Sequence, residues 1–224
     1  MSFAAWIVNA SIRTFINITC KIDKDELLKV PKEGPLILVS NHITSLEVPL
    51  FYSFLMPRKI SGFAKAEFWN KPISRLLFNK IWNAIPIHRG TVDLKAFRLA
   101  HRAFEEKFFL AVAPEGTRSW NGQLKKAQGG VVMLALHDDV PILPLAHYGG
   151  EHFKENLIHF RRTDFHIKVG KPFKLSTKGE KMTNIIRQQM TDEIMYQIAK
   201  LLPPEYRGYY ADFSRATKKY IHFI

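Results

Sequence analysis

Cysteine is almost missing from this chain: Cys20 is the single one in 224 residues, which excludes an intrachain disulfide and a thiolate metal cluster and fits a reducing compartment. Nor is there an uninterrupted run of the ~18 to 20 apolar residues that a membrane-crossing helix needs. The opening stretch, 2–21, lacks a basic leader followed by a long apolar run and a small-residue cleavage site, so it does not read as a signal peptide. Glycine-rich nucleotide loops, histidines at metal-ligand spacing and a Gly-x-Ser-x-Gly nucleophile turn are missing too, so no metal and no bound cofactor is expected. Acidic residues are scarce, 20 against 33 lysines and arginines, for a formal charge of +13. A field of that sign favours anionic lipid surfaces and polyanions. The basic residues are spread along the chain without a helix-turn-helix, zinc-finger or ribonucleoprotein motif to aim them, so nucleic acid is not an expected partner.

What is present is an ordered chain, 46% hydrophobic and 24% charged, of a length that suits one α/β domain. Leu36 to Ser40 is short, apolar and bounded by Gly34-Pro35, the pattern of a strand buried on both faces. Further strands are expected at 60–64, 84–87, 108–113, 141–146 and 165–169. Between them, helical patterns run over 46–55 with Ser45 as N-cap, over 66–80, from Val92 onward, over 130–136 and, as a long C-terminal helix, over 182–202 up to Pro203-Pro204. Strands alternating with helices imply an α/β fold: a mostly parallel sheet flanked by helices on both faces.

The segment before it, drawn as a helix over 2–21, is apolar around most of its circumference through Phe3, Ile7, Val8, Ile12, Phe15 and Ile18. Asn9, Arg13 and Asn17 make a narrow polar stripe. It fits equally a helix lying in a membrane interface and a core helix folded against the domain.

Two segments carry chemistry. Ser40-Asn41-His42-Ile43-Thr44-Ser45-Leu46-Glu47 sets an imidazole five residues before a carboxylate, where a strand gives way to a helix. Ala113-Pro114-Glu115-Gly116-Thr117-Arg118-Ser119 sets a carboxylate, a glycine and a guanidinium after another strand, at the strand end where α/β sheets bind ligands. A glycine there lets backbone N–H groups approach an anion closely, and Arg118 offers a planar fork suited to a phosphate.

In order along the chain, these segments resemble the first and third motifs of the lysophosphatidic acid acyltransferase family, His-x4-Asp and Pro-Glu-Gly-Thr-Arg-Ser. Ile85-Pro86-Ile87-His88-Arg89-Gly90 and Val140-Pro141-Ile142-Leu143-Pro144-Leu145 resemble its second and fourth. The likeness spans about residues 34–173. Two positions depart from the pattern. Glu47 stands where the family has aspartate, moving the carboxylate out by roughly one carbon-carbon bond, and Gln128 stands where relatives often carry lysine.

The resemblance implies a membrane-surface acyltransferase at the cytoplasmic face, peripheral or monotopic. It would move a fatty acyl chain from acyl-CoA or acyl carrier protein to 1-acyl-glycerol 3-phosphate, giving phosphatidic acid. An N-terminal apolar helix and connector would occupy 1–33 and the acyltransferase domain 34–224. His42 would be the general base and Glu47 the acid that orients it, the logic of a Ser-His-Asp triad with the substrate's hydroxyl in place of serine. Glu115, Gly116, Thr117 and Arg118 would bind the lysophospholipid, with Glu115 holding Arg118 or accepting a glycerol hydroxyl. Arg89 would add a phosphate contact, and Lys65 and Lys126 are weaker candidates. Three bland readings stand beside these: His42 as a capping or core histidine, Glu115 and Arg118 as a structural pair, Arg89 as a solvated rim. Two rival functions are an acyltransferase for a different lysolipid or hydroxylated acceptor, and a catalytically silent lipid-binding homologue in which Glu47 marks decay of the base-acid pair.

Overall fold

The computed structural model describes residues 3–88 and 93–224. Along the chain run α1 (Phe3–Thr19), β1 (Cys20–Ile22), β2 (Leu36–Ser40), α2 (Glu47–Phe54), β3 (Ile60–Lys65), α3 (Pro72–Leu76), β4 (Ile85–Ile87) and α4 (Leu94–Glu105). They are followed by β5 (Phe109–Val112), α5 (Gly130–His137), β6 (Ile142–Tyr148), α6 (Phe153–Ile158), β7 (Thr163–Val169), β8 (Phe173–Leu175), α7 (Asn184–Ala199) and β9 (Ile221–Phe223). The strands form one sheet in the order β1-β7-β6-β2-β5-β3-β4, with β8 beside β6 and β9 beside β8. From β6 through β2, β5 and β3 to β4 every pairing is parallel; β6 pairs antiparallel with β7 and β8. The expected mostly parallel α/β sheet with helices on both faces is the fold observed.

The apolar run of β2 explains its central place. Side chains alternate across a strand, so Ile37 and Val39 enter one core with Ala100 of α4, Val131 of α5 and Ile194 of α7. Leu36 and Leu38 enter the other, with Ile16 of α1 and Leu50 of α2. Leu38 is fully buried, and truncating such a residue to alanine costs roughly 2–5 kcal/mol.

Several local expectations are corrected. The helix expected over 66–80 is three pieces: a 3-10 turn at Ala66–Asn70, α3, and a wide π turn at Leu77–Ile81. Lys71 breaks it, because the residue before a proline is pushed out of the helical region, and Lys71 is extended (φ −105°, ψ 127°) ahead of Pro72. Ser45 is not the cap of α2; Leu46 holds that position, and the hydroxyl of Thr44 accepts from the N–H of Leu46 at 3.1 Å. The C-terminal helix is shorter than 182–202, since Thr183 caps it, accepting from the N–H of Ile186 at 3.2 Å. The N-terminal helix stops at Thr19, and Cys20–Ile22 becomes a strand parallel to β7.

The polar stripe of α1 points inward. Asn9 is buried and accepts from the indole N–H of Trp82 at 3.4 Å, and Arg13 donates to the carbonyl of Ser53 at the end of α2. Phe3, Trp6, Ile7, Phe15 and Ile18 are left exposed, Phe3 by 76% and Ile18 by 67%. Among the described residues no helix is long and apolar enough to cross a membrane.

Candidate active site

Strand register brings the two motifs together. β2 and β5 pair from Leu36 opposite Phe109 to Val39 opposite Val112, so the loop holding His42 and the loop over 113–118 leave the same sheet edge at the same height. Hydrogen bonds then tie the loops to each other. The carbonyl of His42 accepts from the N–H of Ser119 at 2.8 Å. The N–H of His42 donates to Glu115 Oε1 at 2.9 Å, and the N–H of Lys125 donates to Glu115 Oε2 at 2.8 Å. Glu115 is 5% exposed; burial pushes its carboxyl above its ordinary value, against the pull of those two N–H groups. Among the described residues no ion pair joins Glu115 to Arg118, so the structure corrects the expectation that this carboxylate holds the arginine. It holds the backbone of two loops.

Glu47, in the first turn of α2 and buried, reaches back over the loop. Its Oε2 lies 2.7 Å from Nδ1 of His42, while Oε1 accepts from the N–H of Ile43 at 2.8 Å and from that of Thr44. A carboxylate so placed selects the tautomer with its proton on Nδ1 and leaves Nε2 of His42 as the basic nitrogen. Burial alone would raise the Glu47 carboxyl; the neighbouring His147, the hydrogen bond from His42 and the Thr44 N–H outweigh it and hold it below its ordinary value. Burial in turn pushes the pKa of His147 down, against the pull of the Glu47 carboxylate.

Sequence reading missed Asn41 and His147. The side-chain amide of Asn41 donates to the carbonyl of His147 at 2.8 Å and its oxygen accepts from the N–H of His147 at 3.0 Å, extending the β2–β6 ladder by one side chain. Nε2 of His147 donates to the carbonyl of Asn41 at 2.8 Å and lies 3.9 Å from Glu47 Oε1. Its ring is fully buried and stacks on Phe165 at 5.4 Å. The available signal was a lone imidazole within the otherwise apolar strand 142–148.

Within the 113–119 segment, Gly116 adopts φ +70°, a conformation that favours glycine, and its N–H closes a tight turn onto the carbonyl of Ala113 at 3.0 Å. Gly116 and Thr117 are exposed. The guanidinium of Arg118 lies over the ring of Trp120 at 5.3 Å, its Nε buried and without a partner among the described residues. Lys65 is engaged at 3.0 Å by Glu67, and Lys126 is exposed. Arg89 lies outside the described residues.

A cavity of about 210 Å³ opens beside His42 and Gly116, walled by Phe63, Ile87, Phe97, Val112, Val131 and Leu134. Arg118 is not among its walls. A larger hollow, about 730 Å³, lies between Lys32, Arg58, Lys59 and Lys107, before the strands begin, and touches neither motif. The smaller one adjoins His42 and is lined mostly by apolar side chains, a surface that suits an alkyl chain.

Comparison with known proteins bears on the family and the fold. Residues 21–148 match the family model described as Acyltransferase. A 1-acyl-sn-glycerol-3-phosphate acyltransferase of Borreliella burgdorferi is 27% identical over 173 residues, 74% of this chain and 68% of that protein. The protein of that name from Limnanthes alba is 33% identical over 112 residues, 49% of this chain and 39% of its own length. The crystal structure of the 1-acyl-sn-glycerophosphate (LPA) acyltransferase PlsC from Thermotoga maritima superposes with a TM-score of 0.59 at 22% identity, covering 88% of this chain and 82% of that one; at that identity it speaks for the fold. Because the matched region takes in more than half of the chain, this protein belongs to the acyltransferase family that includes these 1-acyl-sn-glycerol-3-phosphate acyltransferases.

Proposed function

We propose that the protein transfers a fatty acyl group from a thioester, acyl-CoA or acyl carrier protein, to the free hydroxyl of 1-acyl-glycerol 3-phosphate, giving phosphatidic acid. The observation that carries this reading is the 2.7 Å contact between His42 Nδ1 and Glu47 Oε2 beside an apolar cavity. Nε2 of His42 takes the hydroxyl proton as the oxygen attacks the thioester carbon, and Glu47 stabilises the imidazolium that forms. When the tetrahedral intermediate collapses, the carbon-sulfur bond breaks and His42 returns the proton to the departing thiolate. A positioned base of this kind contributes roughly 10²- to 10⁴-fold in rate.

The apolar cavity suits the acyl chain. Arg118, with a buried N–H that has no partner among the described residues, suits the acceptor's phosphate, and the outward apolar face of α1 suits the membrane surface where both lipids reside. The intact His42–Glu47 contact disfavours a silent homologue. An acyl-transfer assay with both thioester donors against several lysolipids tests the reading. Activity strongest on lysophosphatidate supports it, and turnover confined to another acceptor rejects that substrate assignment.

A further inference from the structure

At the far ends of two helices that wall the cavity, a second group of chemistry-bearing side chains converges. His101 lies in the last turns of α4, His137 closes α5 and Asp138 caps it. Nδ1 of His101 and Nδ1 of His137 approach the same oxygen, Asp138 Oδ1, at 2.5 and 3.2 Å, and the three ligand atoms lie within 4.8 Å of one another. The Asp138 side chain is 5% exposed, and its second oxygen, Oδ2, is buried with no hydrogen-bond partner among the described residues. On the other side of the His101 ring, Nε2 lies 3.6 Å from Glu105 Oε1.

Two imidazoles and a carboxylate form a donor set for borderline divalent ions; magnesium and calcium prefer oxygen alone. With Nδ1 of each ring on the ion, the ring proton sits on Nε2, and that of His101 then faces the Glu105 carboxylate. A carboxylate behind a ligating histidine fixes its tautomer and raises its basicity. Both histidines are exposed, which leaves solvent positions to complete the coordination, and both ring nitrogens already converge on one carboxylate oxygen, Asp138 Oδ1.

We propose that His101, His137 and Asp138 bind one transition-metal dication, zinc being the ion best suited to this set, with Glu105 orienting His101. Local spacing hides the site, because His101 and Asp138 are 37 residues apart. The ion would clasp α4 to α5. Phe97 lies one turn before His101 and Leu134 one turn before His137, and both wall the cavity, so loading would stiffen that wall.

Equilibrium dialysis of the tag-free full chain against zinc chloride, with a chromophoric chelator as competitor, tests the site. One bound equivalent is expected, with affinity falling at least about tenfold in His101→Ala and in His137→Ala, and less in Glu105→Gln. A melting point that rises with zinc in the parent but not in these surface variants would agree. Circular dichroism matching the parent in chelator establishes that the variants fold. A parent that binds no zinc, or folded histidine variants that bind it with parental affinity, would overturn the assignment.

Discussion

The backbone N–H of His42 is held by the side chain of Glu115, at 2.9 Å across 73 residues of sequence. The carboxylate of one motif is thus the scaffold of the other. In Glu115→Ala two partly buried N–H groups, those of His42 and Lys125, lose their acceptor, and losing a hydrogen bond of this kind costs on the order of 1 kcal/mol. A lower melting point is expected together with a fall in kcat, because the loop carrying the base loosens. Unchanged melting and unchanged kcat would show that the brace is idle.

Glu47→Asp is expected to lower activity, although aspartate is the residue the family motif carries. Glu47 spans three partners at once, His42 Nδ1 and the N–H groups of Ile43 and Thr44, and a side chain one methylene shorter cannot keep all three without moving the loop. A displacement of about 1 Å can cost on the order of 10²-fold in rate. A gain in kcat would mean that the native pair is misaligned.

The two buried carboxylates beside His42, Glu47 and Glu115, should shape acid stability in opposite senses. Glu47 is held below its ordinary value of 4.5, so its contribution is present above that pH and is lost as pH falls through the lower folded value. Glu115 is held above 4.5, so its contribution is fullest below that pH and is lost as pH rises through the higher folded value. Denaturant melts over acid to neutral pH should show the gap between parent and Glu47→Gln narrowing on acidification. The gap for Glu115→Gln should widen. Parallel curves for either variant would contradict these shifts.

Arg118→Lys keeps the charge but loses the planar fork. If Arg118 grips the acceptor's phosphate, KM for lysophosphatidate rises in this variant and rises further in Arg118→Ala, with KM for the thioester little changed. Equal effects on both substrates would place Arg118 in loop architecture with Trp120 and Lys125.

The sequence made legible whatever is local. The strand at 36–40 declares itself by an apolar run that two buried faces require, and His42 with Glu47 is legible because five residues of one turn bring them into contact. Less legible were features created by tertiary pairing. The three-residue strands β1, β8 and β9 have no hydrophobic period of their own and exist because β7, β6 and β8 in turn offer them edges. Asn41 meets His147 across 106 residues, and the inward turn of Asn9 and Arg13 depends on where Trp82 and Ser53 lie. Helical periodicity over 66–80 was real, but the steric demand of Pro72 on Lys71 overrode it.

The most direct test is single-turnover transfer of a radiolabelled acyl chain from its thioester to lysophosphatidate by folded His42→Ala, measured beside the parent. With His42 as the base, the rate should fall by about 10²- to 10⁴-fold while the melting point stays close to the parental one. Transfer at the parental rate by that variant would contradict the assignment of His42 as the base.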